Sequence, residues 1–168
     1  MVQMQLKKYK MKVSIYAPSY KRPQKSITQI IYPDVKIVVC ESQAEEYKKN
    51  GNDIVVCPDS AQGNLCRIRN WILDNLYNDS DCIIILDDDC SFIGYYNNQK
   101  QKFNNDELIE FCESSAILCG EMNYGFWGIN CVPDKGAYKE YTPFGFTKYI
   151  GGPFQAHLKD SKLRYDEE

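Results

Sequence analysis

Short apolar runs without polar alternation recur along the first half of the chain, each closed by a proline or an acid. Lys12 to Ala17 (KVSIYA) stops at Pro18, Val35 to Cys40 (VKIVVC) at Glu41, Asp53 to Cys57 (DIVVC) at Pro58, and Cys82 to Leu86 (CIIIL) at Asp87. Runs that are apolar on successive rather than alternate residues suit strands covered on both faces, as in a parallel sheet. Between them lie helical segments: Ser26 to Ile31, stopped before Pro33; Gln43 to Asn50, closed by Gly51; and a segment from the N-cap candidate Asn64 to about Tyr77. The order strand, helix, strand, helix, strand predicts a parallel sheet with right-handed crossovers.

On the Asn64 helix, advancing about 100° per residue from Leu65 gathers Ile68, Ile72 and Leu76 into one stripe, with Arg69 roughly 40° from its start. Arg69 is therefore expected on the inner side with an anionic partner, either a core acid or a ligand, because an unpaired buried charge is costly. Arg67 points to solvent. Further on, Ser91 to Tyr96 reads as a short strand followed by a polar loop, NNQKQKFNN. Asp106 to Cys119 is an amphipathic helix with Leu108, Phe111, Cys112 and Cys119 on one face and Gly120 as terminator. Phe126 to Val132 and Tyr141 to Ile150 read as antiparallel strands around a turn at Asp134-Lys135-Gly136, and Gly151-Gly152-Pro153 breaks the chain before Phe154 to Leu158. The expected fold is α/β: a Rossmann-type, mostly parallel sheet with helices on both faces and an antiparallel C-terminal portion, in one domain over 1–168.

Composition narrows the function. With 168 residues, 43% hydrophobic and 26% charged, the chain has room for one domain with a real core, which excludes disorder. A net charge of -3 excludes a protein that holds polyanions by bulk charge and leaves only local contacts for nucleic acid. No apolar run approaches the roughly 18 residues of a membrane span, and Met1 to Lys12 lacks an apolar leader core, so an intracellular protein without membrane contact is expected. Cys40, Cys57 and Cys82 sit inside apolar runs and none of the 8 cysteines forms a C-x-x-C pair, which favours reduced, buried thiols over disulfides or zinc. The second half is rich in rings (Tyr124, Phe126, Trp127, Tyr138, Tyr141, Phe144, Phe146, Tyr149), which suit a core face or, alternatively, an acceptor platform.

The candidate chemistry sits after Leu86. At strand period two, Asp87 and Asp89 point to one side and Asp88 to the other, so two carboxylates end up together at the carboxyl end of a strand. Like charges at that distance require a counter-cation or take up protons. Open α/β sheets bind ligands beyond their strand ends, and a hard divalent metal carrying a substrate phosphate is the economical occupant. The competing reading is an acidic surface turn. The basic loop Ser19-Tyr20-Lys21-Arg22-Pro23 after the first strand can reach a phosphate in the same crevice, or is an exposed turn. Gly63 permits close backbone approach to a ligand.

Absent motifs exclude other chemistries. There is no G-x-x-x-x-G-K-[ST], no G-x-G-x-x-G and no G-x-S-x-G, and the single histidine, His157, leaves little for a hydrolytic triad. His157 is either structural or completes a metal shell.

The ordered set VSIYAPSYKRP, VVCES, GNLCRIRN and IIILDDD resembles the nucleotide-sugar half of GT-A glycosyltransferases, most closely the inverting family 2-type group. Within it, the set is similar to the phage and eukaryotic TET/JBP-associated glycosyltransferases thought to act on modified DNA bases. The resemblance covers 12–91 well, as a nucleotide-sugar half, and 92–168 loosely, as an acceptor half. It implies that Pro18, Ser19, Tyr20, Arg22 and Asp88 line the pocket of a nucleotide-sugar donor, a UDP-sugar first, and that Glu41 meets the base. Gly63 and Arg69 would flank the diphosphate. Asp87 would approach the ribose or sugar, and Asp89, with Asp87 and His157, would hold Mn²⁺ or Mg²⁺. Gly151, Gly152 and Trp127 would face the acceptor, a hydroxyl that in this group includes modified DNA.

The resemblance departs at the end. The family's catalytic acid lies on a helix after the Gly-Gly region, about where Leu163 to Glu168 stops. Either Asp166, Glu167 or Glu168 supplies the base, or the base lies on a segment outside this chain, the reading favoured here. A nucleotidyltransferase and a non-catalytic nucleotide-sugar-binding domain are the alternatives.

Overall fold

The computed structural model describes residues 10–97, 99–131, 145–146 and 149–168. The four apolar runs become β1 (Val13–Pro18), β2 (Lys36–Cys40), β3 (Ile54–Cys57) and β4 (Cys82–Leu86). They pair in parallel in the order β3-β2-β1-β4. Successive side chains leave on opposite faces: Ile15, Ala17, Ile37, Val39, Ile84 and Leu86 enter one core, and Tyr16, Val38, Cys40, Ile83 and Ile85 the other. Burial on both faces is why these runs show no polar alternation. Every residue of β4 is buried, and each of its large aliphatics contributes roughly 2 kcal/mol by leaving water.

Helices cover both faces. They are α1 (Ile27–Ile31), α2 (Ala44–Lys49), α3 (Leu65–Asn75) and α4 (Asn105–Glu121). Ile68, Ile72 and Leu73 of α3 enter one core, while Ala44 and Tyr47 of α2 and Leu108, Cys112 and Ala116 of α4 enter the other. Asn64 caps α3 as expected, its side chain accepting the Arg67 N–H at 2.7 Å. Leu65, however, is 50% exposed, so the buried stripe begins at Ile68.

Beyond the acids, β5 (Gly94–Asn97) and β6 (Gln99–Lys102) form a separate antiparallel hairpin. The segment expected as a polar loop thus contains a strand. Its side chains are polar on both faces, so it carries no hydrophobic period, and backbone pairing alone defines it. The helix α4 runs past Gly120, whose missing Cβ leaves room for Met11, to Glu121, and Asn123 just beyond the Met122 cap takes the left-handed conformation at φ 59°.

The sheet is completed by β7 (Phe126–Gly128) and β8 (Phe154–Leu158), in the order β3-β2-β1-β4-β8-β7, with β8 antiparallel to both neighbours. The partner of β7 is thus β8, whereas the expected turn at 134–136 and most of the expected strand 141–150 lie outside the described residues. The architecture is α/β, with a six-stranded, mostly parallel sheet compatible with a Rossmann-like fold. Among the described residues no helix is long and apolar enough to cross a membrane. The eight cysteines are free thiols.

Candidate functional site

From β1 the sheet grows by β2 and β3 on one side and by β4 on the other, so the topological switch point falls between the carboxyl ends of β1 and β4. Those ends carry Pro18-Ser19 and Asp87-Asp88-Asp89. The two loops are joined directly, because the Ser19 hydroxyl donates to the Asp88 carboxylate.

The strand ends at Leu86, and the acids lie on a turn shaped by the start of α1. Thr28 Oγ1 donates to the Asp87 carbonyl at 2.7 Å and accepts the Cys90 N–H at 2.7 Å, while Ser26 Oγ donates to the Asp88 carbonyl at 2.7 Å. Strand alternation therefore stops applying one residue before it was needed. Asp87 pairs with Arg69 at 3.3 Å, whereas Asp88 and Asp89 share Arg22, one guanidinium nitrogen each, both at 3.0 Å. Asp88 and Asp89 are thus joined through one guanidinium, a pairing that strand alternation does not give.

The counter-cations that three adjacent carboxylates require are thus two arginines, leaving one negative charge in excess. Asp88 is buried at 6% exposure, and Asp89 is open at 59%. Burial raises the Asp87 pKa; Arg69 opposes that, and the charges of Asp89 and Asp88 add to it. The Arg22 guanidinium is raised, chiefly by Asp88. Arg69, expected on the inner face of its helix, is buried there and also donates to the Gly152 carbonyl at 2.9 Å and to Gln155 Oε1 at 3.1 Å.

Beside the acids, across the ends of β1, β2 and β3, lies a cleft of about 370 Å³, lined by Tyr20, Lys21, Cys40, Ser42, Gln43, Asp59 and Gln62. The loop carrying Tyr20 is held by α2 and the residue before it: Tyr47 Oη accepts the Arg22 N–H at 2.9 Å and bonds Ser19 Oγ at 2.8 Å, and Lys21, at φ 54°, donates its N–H to Gln43 at 2.7 Å. One loop therefore presents Tyr20 to the cleft and Arg22 to the acids. Asp59 accepts the Ser42 N–H at 3.1 Å, which holds its carboxyl below the usual range, and the Gln62 side-chain nitrogen is buried without a partner among the described residues.

Glu41 is exposed on the turn after β2 and is not among the residues lining this cleft; Asp59, one residue beyond the proline that closes β3, is the acid that does. Asp59 carried the same strand-end signal as Glu41 in the sequence. Gly63 precedes α3 at φ 123°, a conformation that favours glycine. Gly152 lies against Arg69 at the rear of the acid site, whereas the Gly151 position faces Cys131. Trp127, expected at the acceptor, instead packs 6.0 Å from the Phe111 ring and 5.5 Å from Phe154, because its register with Ala156 turns it under α4.

His157 is likewise removed from the acids. It pairs with Ile83 in the ladder, four residues before Asp87 along β4, on the order of 13 Å at about 3.3 Å per residue. Its Nε2 lies 2.9 Å from the Tyr165 hydroxyl, so it is a structural histidine rather than a metal ligand. Glu167 is engaged by Asn70 Nδ2 at 2.7 Å and Arg67 Nε at 3.6 Å, and Asp166 accepts the Glu168 N–H at 3.1 Å. Among the described residues no three His, Cys, Asp or Glu side chains form a self-sufficient metal cage. The hard carboxylate oxygens of Asp87 and Asp89 nevertheless suit Mg²⁺ or Mn²⁺, which is commonly held by one or two carboxylates with substrate phosphate completing its shell. Compared with known proteins, the chain matches no family model, no curated protein and no solved structure.

Proposed function

We propose that this protein is a GT-A-type domain that binds a nucleotide-sugar with Mn²⁺ or Mg²⁺ and transfers the sugar to an acceptor hydroxyl. The observation that carries the reading is that the single loop 19–22 lines a cleft of about 370 Å³ through Tyr20 and Lys21 and bonds the acids at the switch point through Ser19 and Arg22.

In this reading the nucleoside lies in the cleft, with the Tyr20 ring against the base and Asp59 and Gln62 on its polar edge. The diphosphate crosses the loop to Arg22 and Arg69. Asp87 and Asp89 would hold the metal, which supplies charge neutralisation to the departing diphosphate. Arg22 and Arg69 neutralise the acids; with a divalent ion held by Asp87 and Asp89, their guanidiniums would be available to phosphate oxygens, which they recognise well. The acceptor hydroxyl attacks the anomeric carbon as the bond from that carbon to the phosphate oxygen breaks, and the hydroxyl proton passes to a base. Glu167, one candidate for that base, faces Asn70 and Arg67 on α3. A hydroxylated DNA base is the acceptor class that the family resemblance suggests.

The test is a thermal-shift and calorimetric screen of UDP-sugars and other nucleotide-sugars with and without Mn²⁺. A donor that binds the folded state raises the melting temperature, and Asp89→Ala should abolish the metal-dependent part. If no donor shifts the melting temperature, or Asp89→Ala binds as wild type does, the reading fails.

A further inference from the structure

Residues 161–168 form a strap along α3. Arg164 pairs with Asp74 at 2.7 Å, the Tyr165 backbone bonds the Asn70 side chain reciprocally at 2.8 and 2.9 Å, and Glu167 reaches Asn70 and Arg67. Anchored on both sides, Tyr165 turns its ring inward. The ring centroid stands 5.4 Å from Arg69 Cζ, and the hydroxyl lies 2.7 Å from Gln155 Oε1 and 2.9 Å from His157 Nε2.

Proton counting fixes the direction of these bonds. Arg69 can only donate, so the Gln155 atom 3.1 Å from its Nη1 is the amide oxygen. The same oxygen faces the Tyr165 hydroxyl, which therefore spends its one proton there. His157 Nε2 must then carry the hydrogen, and Nδ1 is the bare nitrogen, in accord with its burial without a partner among the described residues. The chain runs His157 to Tyr165 to Gln155, with Arg69 donating to Gln155 from the other side and to Asp87 beyond.

This chain has a consequence for the guanidinium. Arginine and carboxylate prefer a two-pronged contact, yet Arg69 gives Asp87 only Nη2, at 3.3 Å, while Nη2 also donates to the Gly152 carbonyl at 2.9 Å and Nη1 donates to Gln155. We propose that Gln155 and Tyr165 are positioning residues that prevent Arg69 from closing end-on onto Asp87 through both terminal nitrogens, and so keep it available to an anionic phosphate ligand. Only the identity of the ligand rests on the nucleotide-sugar reading; the restraint on Arg69 does not.

The experiment compares wild type, Tyr165→Phe and Gln155→Met in the full chain. Arginine side-chain NMR should give two distinct Arg69 Nη signals in wild type, and rotation about the Cζ–Nε bond should accelerate about tenfold in Gln155→Met, which removes a hydrogen bond of Arg69, and by a smaller factor in Tyr165→Phe, which releases Gln155 from its second bond. The His157 ring nitrogens should report the Nε2–H tautomer. Calorimetry with Mn²⁺-pyrophosphate and Mn²⁺-UDP should show affinity about tenfold weaker in Gln155→Met and weaker by a smaller factor in Tyr165→Phe, which retains the ring and the fold. An Nδ1–H tautomer, or Arg69 signals unchanged in Tyr165→Phe, overturns the proposal, and Tyr165→Phe decides alone if Gln155→Met does not fold. If wild type binds neither ligand, the nucleotide-sugar reading falls, while the NMR still decides whether Arg69 is restrained.

Discussion

Arg69 Nη2 lies 3.3 Å from Asp87 Oδ1, a guanidinium 7% exposed against a carboxylate 37% exposed. Breaking a fully buried pair by removing one partner costs about 3–5 kcal/mol, and partial access of water to Asp87 reduces that. Arg69→Leu should therefore destabilise the protein by about 2 kcal/mol at pH 7 in urea unfolding. Adding Asp87→Asn to Arg69→Leu should restore part of the loss, because the stranded charge disappears. A double variant no more stable than Arg69→Leu would show that packing, not charge, holds Arg69.

Ser19 makes a second, independent claim on the acids. Its hydroxyl donates to the buried Asp88 and bonds Tyr47 at 2.8 Å, so Ser19→Ala leaves two buried oxygens short of a partner. The expected cost is about 2 kcal/mol. Arg22 is 59% exposed, and Arg22→Ala should cost about 1 kcal/mol or less and lose more of its effect at high salt. Chemical denaturation of both variants at low and high salt checks the order.

Much of this fold could be read locally. An unbroken apolar run needs no tertiary information to declare itself a doubly covered strand, and the helical period alone puts Arg69 on the inner face of α3. The way the acids divide was not legible, because the turn that separates Asp87 from Asp88 and Asp89 is set by Ser26 and Thr28, which are remote in sequence. The hairpin strand β6 was hidden by side chains that are polar on both faces. Gln155 and Tyr165 left no local trace either: each reads as an ordinary polar position until β8 and the strap bring them to Arg69. The acid that lines the cleft was not legible for a different reason. Glu41 and Asp59 both follow a strand, and only the path of the backbone after β2 and β3 decides which one lines the cavity.

His157 gives the fold a pH dependence with a definite sign. Burial first, then the positive charges of Arg164 and Arg69, lower its pKa from 6.5 to about 4. Between those values the unfolded chain binds a proton that the folded chain refuses, so stability is complete above pH 6.5 and falls as pH drops toward 4. The loss across that window is on the order of 3 kcal/mol. Carboxylates titrate in the same range, and Asp87, with its raised pKa, works in the opposite sense. The diagnostic quantity is therefore the difference between wild type and His157→Gln: the variant's stability profile should be flatter from pH 6.5 to 4. Parallel profiles would mean that His157 is not held neutral.

Tyr20 separates the two halves of the proposed donor site. Its ring is 52% exposed, faces the cleft and carries the Lys21 ammonium 5.0 Å from its centroid, so little of the fold depends on it. Stacking of a base on an aromatic ring contributes about 1–3 kcal/mol. Tyr20→Ala should therefore leave the melting temperature of the free protein nearly unchanged and weaken UDP binding about tenfold or more, while Mn²⁺-pyrophosphate, which reaches only the acids and arginines, binds as before. Arg22→Ala should weaken both ligands. Equal losses for UDP and pyrophosphate in Tyr20→Ala would mean that the cleft does not receive the base, and the nucleoside would have to be sought elsewhere along the strand ends.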